Sequence, residues 1–180
     1  MPTHISFLRG VNVAGRKVDM AGVRDIYVSA GAMNVRTYIQ SGNIVFESGE
    51  EELGAIEKRA RELMMERFKL EVCVITRSPI QLREIVGNMP FRQVDEGKLH
   101  VTFLSSPPVR THCSEFEKAR DASEKFYIGE REIYLYCPNG YGRTKLTNSF
   151  IERKLCVKAT TRNWRTVNSL LAIAETGNYR

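Results

Sequence analysis

The chain has 180 residues, 42% apolar and 27% charged, and its 27 basic and 21 acidic side chains leave a net charge of +6. That composition excludes disordered and collagen-like classes, and the length suffices to bury a core without disulfides or metals. No apolar run approaches the roughly 18 residues a membrane span needs, and MPTHISFLRG lacks a signal-peptide layout, so a cytoplasmic protein with no membrane partner is expected.

The first half reads strand, helix, hairpin, helix, strand. His4–Leu8 is a short apolar strand. Asp19 is placed to cap a helix whose apolar positions Val23, Ile26, Tyr27 and Ala30 keep helical spacing, and Gly31 stops it. VRTYIQ and NIVFES are two β-rich runs divided near Ser41-Gly42, which is a hairpin signal. Leu53, Ile56, Ala60, Leu63, Met64 and Phe68 form a helical stripe behind Glu50-Glu51-Glu52, and EVCVIT closes the set as a strand. The order βαββαβ is the ferredoxin-like motif.

A connector over 78–97 follows, with Ser78-Pro79 opening a short helix and Asn88-Met89-Pro90 ending it. The order then recurs. LHVTFL is a strand, and Ser114 with Glu117 reads as a capping box opening a helix through Phe116 and Ala119. EKFYIGEREIYLYC is a hairpin turning near Gly129-Glu130. Leu146, Phe150, Ile151 and Leu155 mark a helix, VKAT a strand, and Trp164, Val167, Leu171 and Ala174 a terminal helix. The fold class is α+β: duplicated ferredoxin-like repeats over 1–77 and 98–180, with antiparallel sheets and helices on one face of each. The repetition is read in element order, not in residues.

LRGVNVAGRK, RTYIQSGNIVFES, LHVTFL, YLYCPNGYGRTKLTNSFIERKL and ATTRNWRTV resemble the bacterial domain of unknown function 1697 family over essentially the whole chain. The resemblance implies a duplicated ferredoxin-like α+β arrangement and carries no established activity. One departure is visible: the family's first loop usually ends Gly-Gly, where this chain has Ala14-Gly15.

Chemistry is sparse along the chain. Cys73, Cys113, Cys137 and Cys156 show no metal-binding spacing, and His112 and Cys113, being adjacent, point apart; no metal and no cofactor are expected. Charge is more informative. Residues 143–165 hold Arg143, Lys145, Arg153, Lys154, Lys158, Arg162 and Arg165 against Glu152 alone, so this stretch carries the whole excess.

Two glycine-bearing loops lie between a strand and a helix. Gly10 and Gly15 have Walker-A spacing, but Arg16-Lys17-Val18 lacks the metal-binding hydroxyl, which leaves plain turn chemistry. In Asn139–Lys145, Gly140 and Gly142 allow close backbone approach, and Thr144 or Thr147 can cap the next helix. Arg143 and Lys145 at that helix start oppose its macrodipole, a conflict an incoming anion would relieve. Asn163 is a further N-cap, with Arg162 and Arg165 beside it as guanidinium donors.

The expectation is therefore a binding module for an anionic partner. Its contacts are Gly140, Gly142, Arg143, Lys145, Arg153, Lys154, Arg162 and Arg165, and nucleic acid is placed ahead of a small phosphate-bearing ligand. Tyr134 and Tyr136 alternate with apolar residues, so they face one way, with His100 and Thr102 as neighbours that could join them; packing of that face is preferred to base stacking. An enzyme acting on a small phosphorylated or carboxylated substrate is the alternative, although no catalytic set is readable. A regulatory or assembly module is the third reading.

Overall fold

The computed structural model describes residues 1–11, 17–108 and 113–177. Two compact units emerge: Met1–Arg83 with Ser169–Arg180, and Glu84–Asn168.

The first unit is built from β1 (Thr3–Arg9), α1 (Met20–Ser29), β2 (Met33–Tyr38), β3 (Asn43–Glu47), α2 (Leu53–Phe68) and β4 (Cys73–Arg77). Its sheet runs β2-β3-β1-β4, with every pair antiparallel. Asp19 caps α1 as read, its carboxylate accepting from the Ala21 and Gly22 amides. Leu8, Ile44 and Phe46 on one face of the sheet pack with Val23, Ile26, Ile56, Ala60 and Met64 of the two helices. α3 (Pro79–Gly87) follows, and the Ser78 hydroxyl accepts from the Gln81 amide at its start.

The second unit repeats the plan with β5 (Leu99–Leu104), α4 (Cys113–Ala119), β6 (Lys125–Ile128), β7 (Glu132–Tyr136), α5 (Asn148–Leu155) and β8 (Ala159–Asn163), and α6 (Trp164–Thr176) follows. Its sheet order, β6-β7-β5-β8, matches the first position for position. Leu104, Ile133, Leu135 and Ala159 pack with Phe116 of α4 and Ile151 and Leu155 of α5. Two local expectations change. Ser114 lies inside α4 rather than at its cap, and Glu117 instead takes the Arg120 side chain at 2.5 Å. Leu146 precedes α5 as a buried loop residue, because Thr147 is the cap, its hydroxyl accepting from the Phe150 amide.

The duplication reaches individual residues, contrary to the element-level reading. HISFL at 4–8 matches HVTFL at 100–104, and Thr76-Arg77-Ser78 matches Thr161-Arg162-Asn163. The pairing register bears this out: Ser6 faces Thr76 and Thr102 faces Thr161, with a hydroxyl–hydroxyl distance of 2.7 Å in both units.

One turn carries strain. Ile39, between β2 and β3, has φ +49° and is half exposed. A left-handed β-branched residue is disfavoured by roughly 1–2 kcal/mol, whereas asparagine tolerates that region. Ile39→Asn is therefore expected to stabilise the protein by about 1 kcal/mol, a rise of about 2–4 °C in a thermal melt. An unchanged or lower Tm would show that the Ile39 side chain contributes more than its backbone conformation costs.

A candidate anion site at one end of the second sheet

Strand direction decides which side chains meet. β7 and β8 both run antiparallel to β5, with Tyr136 opposite Leu99 and Asn163 opposite His100. The C-terminal ends of β7 and β8 therefore lie at the N-terminal end of β5. The loop after β7, the first turn of α5 and the first turn of α6 gather there.

A directed hydrogen-bond chain joins these pieces. The Tyr141 hydroxyl donates to Thr161 Oγ1 at 3.1 Å, and Thr161 donates to Asn148 Oδ1 at 2.7 Å. A hydroxyl has one proton, so at the Thr102–Thr161 contact Thr102 is the donor. His100 stacks on the Tyr141 ring, with centroids 4.9 Å apart, and its Nδ1 lies 3.2 Å from the Lys98 carbonyl. A carbonyl only accepts, so Nδ1 carries the proton in the neutral ring and Nε2 keeps its lone pair. Burial is the main influence holding the imidazole below its ordinary pKa, partly offset by that hydrogen bond.

The cations identified in sequence divide. Arg143 and Lys145 follow β7, and Arg165 lies in the first turn of α6; all three are exposed. Among the described residues none of the three forms an ion pair. Asp121 feels Lys145 only weakly, its carboxyl being held low first by Ser123. Arg153 and Lys154 sit in the last turn of α5, most of the helix length of about 12 Å away. Arg153 lies 6.0 Å from the Phe150 ring centroid, and Lys154 pairs with Glu115 at 2.7 Å. Lys158 precedes β8 at that same far end.

Arg162 is near the first end but on the other sheet face. Val101, its cross-strand partner, also faces Tyr134, and Arg162 is 8% exposed. Its guanidinium donates to Thr160 Oγ1 at 2.7 Å and to the Thr161 carbonyl at 2.9 Å. Burial lowers its pKa to about 10, so it stays charged at neutral pH. Arg77, its counterpart in the first unit, is equally buried and donates to the Thr76 carbonyl at 2.8 Å. The motif reading missed Arg77; the signal was the repeated Thr-Arg before a capping residue.

The glycines act mainly on the loop itself. Gly140 has φ +91°, and its amide donates to the Cys137 carbonyl at 2.9 Å. Gly142 lies in a single 3-10 turn, Tyr141–Arg143, whose Arg143 amide donates to the Gly140 carbonyl. The Asn12–Arg16 part of the first glycine loop, and His112, fall outside the described residues.

Several other candidate groups are engaged within the fold. Tyr134 is buried and donates to the Ile85 carbonyl at 2.9 Å, so its own ring is closed to base stacking, whereas its cross-strand neighbour Tyr127 is exposed. His100 and Thr102 do not join the tyrosine face: they pair with Leu135 and Ile133 on the helix side. Glu152 accepts from the Ala159 amide at 3.1 Å and so ties α5 to β8. Burial pushes the Cys137 thiol up to about 11, away from nucleophilic use. Among the described residues no three His, Cys, Asp or Glu side chains group to hold a metal, and no helix is long and apolar enough to cross a membrane.

The architecture defines a class: an α+β protein of two ferredoxin-like units. The chain belongs to the family described as protein of unknown function DUF1697, whose model matches residues 1–134 and so ends before the Asn139–Lys145 loop. It is similar in structure to the conserved bacterial protein SP0830 from Streptococcus pneumoniae, with a TM-score of 0.75. The two are 20% identical, over 98% of this chain and 99% of that one, a likeness that speaks for the fold. No curated protein matches the chain.

Proposed function

We propose that the protein binds a phosphate-bearing ligand at the end of the second sheet where α5 and α6 begin. The observation that carries this reading is an internal contrast. In the first unit, the loop entering α2 presents Glu50, Glu51 and Glu52, all exposed, with carboxylates where a helix macrodipole favours them. The equivalent loop of the second unit presents Arg143 and Lys145, where the same dipole disfavours them, and Arg165 joins them from α6. One architecture thus holds opposite charge at matching helix starts, and only the second arrangement calls for an added anion.

A compact oxyanion fits better than a nucleic-acid strand. A strand binder needs a continuous track of cations, yet the basic residues part to two ends of α5. An NMR titration at low salt with inorganic phosphate, with a phosphate monoester and with a short single-stranded RNA tests this. The expected result is saturable shifts at Arg143, Lys145, Asn148 and Arg165 with the first two. RNA binding that spreads to Arg153 and Lys158 would favour the nucleic-acid reading, and silence from all three probes would remove the site.

A further inference from the structure

We propose that His100 couples anion binding at this site to proton uptake, its imidazole becoming the fourth cation of the cluster when an oxyanion is held. The inference rests on the anion-binding reading and adds a residue that the cation pattern does not contain. Three placements support it. The ring stacks on Tyr141, two residues before Arg143 and four before Lys145. Its cross-strand partner is Asn163, which caps α6 by accepting from the Thr166 amide at 2.8 Å, two residues before Arg165. And because Nδ1–H is engaged by the Lys98 carbonyl, a second proton can arrive only at Nε2.

The surroundings explain why the ring is neutral until a ligand arrives. The elements packed against it bring Leu135 from β7, Asn163 from β8 and Tyr141 from the loop, none of them a carboxylate or a basic group. The turn before β5 brings the charged Lys98, with Asp95 and Glu96 in the same turn. Burial therefore opposes the imidazolium, with the Lys98 carbonyl hydrogen bond as a partial offset. A bound dianion reverses the balance, since a nearby opposite charge favours the charged form.

The sign follows from linkage. The unliganded ring titrates below its ordinary value and the liganded ring higher, so binding takes up a proton between the two. Affinity then rises as pH falls through that window and levels off beneath it.

Inorganic sulfate is the probe, because it does not change its own protonation over this range and the dependence reports the protein alone. In the full chain, sulfate affinity is expected to rise about fivefold from pH 7.5 to 5.5, within the tenfold ceiling that a one-unit shift in a single coupled group sets. His100→Asn, a neutral polar substitute whose amide can still donate a hydrogen bond, should hold the rise to less than about twofold. NMR of the wild-type His100 ring supplies a reading that needs no variant: sulfate should move its titration upward by about one unit. A wild-type ring whose titration sulfate leaves unmoved, or an equal pH dependence in His100→Asn, overturns the coupling while the anion site stands. Sulfate that fails to bind at any pH overturns the site and the coupling together.

Discussion

Arg162→Ala is expected to lower stability and to leave anion affinity unmoved at temperatures where the fold persists. The side chain is buried on the sheet face opposite α5, and its guanidinium satisfies Thr160 and the Thr161 carbonyl. Removing it strands those acceptors in a dry environment and opens a cavity, together about 3 kcal/mol. For a chain of this size that corresponds to a Tm lower by about 6–12 °C. Arg77→Ala in the first unit should behave alike, since the same contact to the preceding threonine carbonyl is repeated there. The measurement is a thermal melt beside a sulfate titration. A variant that melts normally yet loses sulfate would return Arg162 to the ligand contacts where its sequence position first placed it.

The second large effect falls on the ligand and spares the fold. Arg143→Glu with Lys145→Glu reverses two exposed charges that make no ion pair within the described residues. Helix α5 should tolerate this well, because acidic groups at its start accord with the macrodipole. Phosphate binding should weaken by roughly 100-fold, equivalent to about 2.7 kcal/mol. The matched control is Arg153→Glu with Lys158→Glu at the far end, expected to change affinity by less than about threefold apart from general screening. Equal losses from both pairs would mean that net charge, rather than the sheet end, attracts the anion.

These two outcomes also mark how far the sequence could be read. Asp19 and Asn163 declared helix starts and are N-caps in the structure, and of Thr144 and Thr147, both readable as the cap of α5, the structure uses Thr147. A short side-chain oxygen next to an apolar periodic stretch is a local signal, complete within four residues. The Ser114 cap failed because α4 begins at Cys113, one residue before it, so the serine is already helical. The hydrophobic stripes of α2 and of LHVTFL were legible for the same reason, as periodicity needs no knowledge of distant chain.

The basic stretch was legible as composition and illegible as a site. Arg162 and Arg165 are three residues apart, yet one is buried on a sheet face and the other exposed at a helix start. Lys145 and Lys154 look like one run, but the helix between them carries them to opposite ends of the unit. His100 drew notice only as a strand residue beside tyrosines. Register instead puts it on the helix side, against Tyr141 from 41 positions further along the chain.

What the order of residues carries unaided, then, is the list of elements, their caps and the doubled βαββαβ plan, since each arises from neighbours a few positions apart. Pairing geometry alone assigns the rest: which face Arg162 enters, which cations share an end, and where His100 meets the Tyr141 loop. Those depend on strand direction and register, and a one-residue change in register would send every side chain of a strand to the opposite face.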